Sequence, residues 1–446
     1  MKKSGEPGND KLKGFVYFAE NYSLSAAGFT LLFLSISFAR NFLEGLLEAP
    51  RSMMSSSFIP TTFSQLAVLF NLEWFALFAA LAAVIAAASG EKILKTAKIL
   101  LFFYAWIIIV PVIDVFINFP GGCRIEYLYT MKAYLRALSF FFVPGADVAV
   151  CPGIRIEVFA GFILCGSYIY IKTRSLIRSA AGSFCLYFLA VSSMAFPVFV
   201  LLPFFPFDPV NFDRLVSIFF FGPAQVNEFI SRISIMIFLF SMPLIFVLYA
   251  MHSGKKWLPR LFSRFFALSS LICAAAFISG FTGSRLSSGS SVITGLFDPF
   301  LLLAGCLLSL FIAATDKIAA DADGRQLMVP FCVFAAIACA ALSYKFLLVF
   351  LFVLCLRLFF ESAPYSLSSF NVIKPLRKAV MVFLIYISGV FISSPAVFSG
   401  SKTTAAILAA AIIYFNGLFF KEKHAMVYNT VNFTAIVILL TAGFIR

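Results

Sequence analysis

Apolar runs of about 20 residues follow one another along the whole chain, separated by short polar stretches. That length is what an α-helix needs to cross the hydrocarbon core of a bilayer. The pattern predicts an all-α, polytopic membrane protein with about thirteen spans. Their limits are Ser23–Phe38, Phe63–Ala88, Ile99–Asn118, Ile156–Ile171, Ala181–Phe205, Ile233–Met251, Phe265–Phe281, Val292–Ala314, Leu327–Leu342, Phe346–Phe360, Val380–Val397, Thr403–Phe420 and Ala425–Ile445. Strands are not expected, because an open sheet edge cannot be satisfied in lipid. Pro197, Pro203 and Pro243 fall inside spans and predict kinks rather than helix ends.

The basic residues orient these spans. Lys2, Lys3, Lys11 and Lys13 precede the first one, and Lys92, Lys95 and Lys98 follow the second. Further groups are Lys172, Arg174 and Arg178, then Lys255, Lys256, Arg260 and Arg264, then Lys374, Arg377 and Lys378. With the N-terminus in the cytoplasm, every clearly basic short connection lies inside, as the positive-inside rule asks. The long segments Pro120–Arg155 and Pro206–Arg232 then lie outside. Within the first of them, Tyr127–Phe142 has apolar residues near helical spacing and is expected along the membrane surface. The seam between two regions falls in His252–Arg264. The expected organisation is a cytoplasmic tail 1–22, a six-helix region 23–256 and a C-terminal membrane region 257–446.

Composition agrees with this picture. The chain is 62% hydrophobic and 12% charged, far below the charge of a soluble domain. The net charge of +14 sits in the connections, where it sets topology and meets anionic headgroups. It therefore points to membrane lipid as a partner and not to nucleic acid. Met1–Asn21 is polar and basic and is not expected to be a cleaved signal. The location expected is a bacterial or archaeal cytoplasmic membrane.

Candidate chemistry is sparse. Thr315–Pro330 is the densest polar stretch, an expected acidic loop with Asp316, Asp321 and Asp323 beside Lys317 and Arg325. Carboxylates of this kind hold Mg²⁺ against substrate phosphates, although Asp-Gly is also ordinary turn chemistry. Arg357 lies inside a span, within reach of a phosphate or of Glu361 one turn on. Glu73, Asp114 and Asp298 are acids in apolar surroundings, which mark either an ion path or span ends. His252 and His424 are far apart and make no zinc pair. Cys123 and Cys151 lie outside the spans in one external segment, where an oxidising compartment favours a bridge.

The final third is similar to the UbiA-type intramembrane prenyltransferases. The resemblance rests on Asp316-Lys-Ile-Ala-Ala-Asp-Ala-Asp-Gly-Arg325 after the eighth span, and on the Tyr/Pro-rich Ser362–Lys378 loop, which ends in basic residues. The loop Lys421–Asn429, where the family carries a second Asp-rich motif, has Glu422 and no Asp. The resemblance implies an isoprenoid diphosphate as substrate, with Asp316, Asp321 and Asp323 holding Mg²⁺. Arg325, Arg357, Lys374, Arg377 and Lys378 would contact phosphate. The other reading of the same residues is a non-catalytic lipid-binding or partner-binding subunit, or a transporter.

Overall fold

The computed structural model describes residues 7–47, 59–117, 127–201, 219, 226–253, 263, 266–293, 295–319, 322–362, 373–393, 398–420 and 425–444. Among them every regular element is helical. Eight helical stretches are long and apolar enough to cross a membrane: Ala26–Glu44, Phe70–Ser89, Ile93–Ile117, Pro152–Thr173, Leu176–Met194, Pro375–Ile392, Gly400–Phe419 and Met426–Phe444. Ser231–Leu244, Asp298–Ala314, Cys332–Leu342 and Tyr344–Leu356 are shorter apolar helices. Apolar side chains also cover outward faces, Phe116 being 83% and Leu31 68% exposed, which suits a lipid solvent rather than water. These features define a multi-pass integral membrane protein. The chain divides into two compact units, Met1–Lys255 and Lys256–Arg446.

The first unit comprises α1 (Pro7–Asn21), α2 (Ala26–Leu47), α3 (Ile59–Ser89), α4 (Ile93–Tyr104), α5 (Val110–Ile117), α6 (Met131–Phe140), α7 (Pro152–Thr173), α8 (Leu176–Met194), α9 (Phe196–Leu201) and α10 (Val226–Ser253). α3 is central and packs on α2, α4, α7, α8 and α10. The N-terminal α1 packs on α4 and is pinned by charge. Lys172 Nζ lies 2.5 Å from buried Glu20 and 3.1 Å from Glu91, and the Tyr168 hydroxyl donates to Glu20 at 2.8 Å.

Three expectations change in this unit. The third span is not one continuous helix, since a 3₁₀ turn, Ala105–Ile109, joins α4 to α5. Pro111 is the reason: it has no N–H for the Ile107 carbonyl, so the Val110 N–H turns to that carbonyl instead. Pro197 starts α9 after α8 ends at Met194, a position near a helix start where no proline N–H is needed. Pro243 does stay inside α10, and Pro203 lies outside the described residues. The Tyr127–Phe142 stretch has an outer face, with Leu135 and Phe140 exposed. Its inner side joins the core through Leu128, Tyr134, Ala137 and Phe141, packed with Val158 and Tyr187.

The second unit comprises α11 (Leu268–Ser287), α12 (Asp298–Ala319), α13 (Ala322–Leu342), α14 (Tyr344–Ser362), α15 (Ile373–Ile392), α16 (Gly400–Phe419) and α17 (Ala425–Phe444). Each helix from α11 to α17 packs on the next in chain order, and α11 also packs on α15 and α17. Short connections make consecutive helices antiparallel neighbours. α11 and α15 approach through glycine on both sides. A Cβ on Gly280 would come within 2.1 Å of the Tyr386 carbonyl oxygen, and one on Gly389 within 2.3 Å of the Phe277 carbonyl oxygen. Such small residues allow close backbone approach in lipid, where the hydrophobic effect does not drive association.

Candidate functional site

The described structure concentrates buried charge in the first unit, around Arg40. Ser37, Arg40, Asn41 and Glu44 recur at helical spacing and line one stripe of α2. The Arg40 side chain is 3% exposed; its Nη1 donates to the Glu44 carboxylate and, at 3.3 Å, to Asn41 Oδ1. The Trp74 ring of α3 lies 5.0 Å from its guanidinium carbon, a cation–π contact. Tyr104, at the end of α4, bonds Ser37 at 2.8 Å and stacks on Phe33.

Other carboxylates surround this arginine. Glu73 of α3, Asp114 of α5 and Glu157 of α7 all lie within its electrostatic reach. Asp114 is 1% exposed, and its Oδ1 accepts the Gly153 N–H at 2.6 Å. It thus sits at the N-terminus of α7, where unpaired N–H groups and the helix dipole favour a negative charge. Gly153 is required there, because a Cβ would fall 2.6 Å from Asp114 Oδ2. Glu73 receives the Tyr127 hydroxyl. Burial and the Glu73 charge push the Tyr127 phenol well above its ordinary value, so it remains a donor. Among the described residues no three His, Cys, Asp or Glu side chains gather as metal ligands.

The residues singled out in the sequence fall as follows. Glu73 and Asp114 belong to this centre. Asp298 does not; it pairs with Arg285 in the second unit at 2.5 and 2.9 Å. Arg285 also donates to the Val292 carbonyl and lies 4.6 Å from the Phe281 ring, so the pair clasps α11 to α12. The expected acidic loop is mostly helix. α12 carries Asp316 in its last turn, and α13 carries Asp323 and Arg325 in its first. Arg357 lies in α14, and Lys374, Arg377 and Lys378 start α15. Asp321 lies outside the described residues, as do the side chains of Asp316, Asp323, Arg325, Arg357 and Lys374. Lys378 and Arg377 are half-buried, and Lys378 Nζ is 3.4 Å from the Tyr428 hydroxyl.

Sequence reasoning missed Arg40, Asn41, Glu44 and Glu157. The expected first span ends at Phe38, whereas the helix runs on to Leu47 and carries the stripe through to Glu44. The readable signal was the helical spacing of Ser37, Arg40, Asn41 and Glu44. Cys151, at the start of α7, is disulfide-bonded, and the other described cysteines carry no disulfide. Of the nine in the chain only Cys123 remains, and it lies outside the described residues. No protein-family model, curated protein or solved structure matches the chain.

Proposed function

We propose that the protein is a proton-coupled membrane transporter, N-terminus cytoplasmic, whose working centre is the cluster around Arg40. The observation that carries this reading is one buried arginine met by carboxylates from α2, α3, α5 and α7 beside an interrupted span. One positive charge among four carboxylates in a low dielectric makes proton binding the way to offset the excess negative charge, and where protons would rest depends on how the helices meet. Asp114 is held by α7 and Glu73 by Tyr127, so a shift of either helix changes where the protons rest. The 3₁₀ turn between α4 and α5 supplies an irregular backbone within the span that carries Asp114.

The test is proton flux into vesicles carrying the purified protein under an imposed pH gradient, with panels of carboxylates, amines, sugars and cations. Flux above empty vesicles, lost in Glu73→Gln and Glu157→Gln, is expected. Flux equal to empty vesicles with every solute overturns the reading.

The second unit supports a second reading, the isoprenoid-diphosphate site. Its support is the antiparallel order of α12 to α15, which brings Asp316, Asp323, Arg325, Arg357, Lys374, Arg377 and Lys378 toward one end of that unit. In this reading Asp316, Asp321 and Asp323 hold Mg²⁺ and the basic residues hold the diphosphate. Purified protein should then bind Mg²⁺ more tightly with an isoprenoid diphosphate present. Equal binding by Asp316→Ala with Asp321→Ala would sink it.

A further inference from the structure

We infer that the solute carried with protons is a small carboxylate anion, bound by Arg40 Nε and Asn41 Nδ2. The inference rests on the transport reading above and names its substrate class. Two buried donors on adjacent residues of α2 have no acceptor among the described residues: Arg40 Nε and Asn41 Nδ2. Arg40 is 2% and Asn41 9% exposed, so neither donor is left to solvent. A buried N–H without an acceptor is costly, and two on neighbouring residues point to an acceptor supplied by a ligand.

The orientation of the Asn41 amide is settled by its other contact. Its Oδ1 accepts from Arg40 Nη1, so the unpaired atom is the NH₂ donor and not the carbonyl. None of the nearby carboxylates accepts from either donor. Glu44 accepts from Arg40, Glu73 from Tyr127, and Asp114 from the Gly153 N–H. The Arg40 Nη1 to Asn41 Oδ1 contact draws the amide to the guanidinium, and two unpartnered N–H donors on these groups suit the two oxygens of a carboxylate. Trp74, stacked on the guanidinium, shields one face of the arginine.

The surroundings dictate how such an anion enters. The charged and titratable groups facing the site are Arg40 and Glu44 of α2, Glu73 of α3, Tyr104 of α4, Asp114 of α5, Tyr127 before α6, and Glu157 of α7. This set already carries more negative than positive charge. A further anion is accepted only when carboxylates of the set are protonated, which makes anion and proton binding mutually favourable.

Trp74 supplies the readout. Purified protein is titrated with lactate while tryptophan fluorescence is followed, with glycerol and chloride as controls and inorganic phosphate as a second anion. A saturable change with lactate is expected, with affinity rising up to about tenfold per pH unit as pH falls, the limit for one coupled proton. Asn41→Leu and Arg40→Lys should each weaken it at least tenfold, in protein whose helical circular dichroism and elution are those of the wild type. The wild-type titration decides alone if a variant fails to fold. No saturable change, or affinity independent of pH, overturns the inference, and so does phosphate binding that excludes lactate. Proton flux driven by an amine, sugar or cation but not by lactate would leave the transport reading standing and remove this one. Absence of flux with every solute removes the transport reading itself.

Discussion

The Asp114 carboxylate, near the end of one broken span, caps the first turn of α7 through the Gly153 N–H at 2.6 Å. The two residues are far apart in sequence, and the contact ties α5 to the helix that carries Glu157. Gly153→Ala should separate them, because the new methyl would also lie 2.9 Å from the Val110 carbonyl oxygen. A loss of about 1–3 kcal/mol is expected from such overpacking. Thermal unfolding in detergent checks it, and an unchanged midpoint would show that α7 can shift freely.

Glu91 sits between Lys95 and Lys172 at the connection after α3. Burial alone would raise its carboxyl, but hydrogen bonds from Lys172 and Lys95 outweigh this and hold it below its ordinary value of 4.5. A folded value below the unfolded one stabilises the fold above the unfolded value. That contribution is lost as pH falls through the folded one. Wild type should therefore unfold at higher temperature than Glu91→Gln at pH 7, with the gap closing below pH 4.5. A gap that persists at low pH would exclude charge pairing as its source.

Arg285 and Asp298 form a buried bidentate pair, their side chains 5% and 10% exposed. Removing one partner leaves a buried charge uncompensated, so Asp298→Leu should cost about 3–5 kcal/mol. Replacing both, as Arg285→Met with Asp298→Leu, should recover much of that loss. Equal losses in the single and double variants would show that the bonds from Arg285 to the Val292 carbonyl and from the Gly295 N–H to Asp298, not the pair, hold the connection.

Cys151 starts α7 and is disulfide-bonded. The expected partner is Cys123, closing a loop of about 29 residues worth roughly 3 kcal/mol. Non-reducing peptide mapping should recover a Cys123–Cys151 cross-linked pair from protein made in an oxidising compartment. The same result would support the external side assigned to this segment. Alkylation of both positions without reduction would exclude the bridge.

The helical membrane character was legible from the chain, because the length of an apolar run is a local property and so is the helix it forms. Glu73 and Asp114 stood out for the same reason, as acids inside apolar runs. The spacing of Ser37, Arg40, Asn41 and Glu44 also lay in the sequence, although its meaning did not. What only the tertiary structure decided is which charges meet. Arg40, Glu73, Asp114 and Glu157 come from four helices separated by long stretches of chain, and their grouping depends on how α2, α3, α5 and α7 pack. The same holds for Asp298, which read as a companion of Asp114 but is clasped by Arg285. An acid in an apolar run announces a cost, and only packing shows which group offsets it.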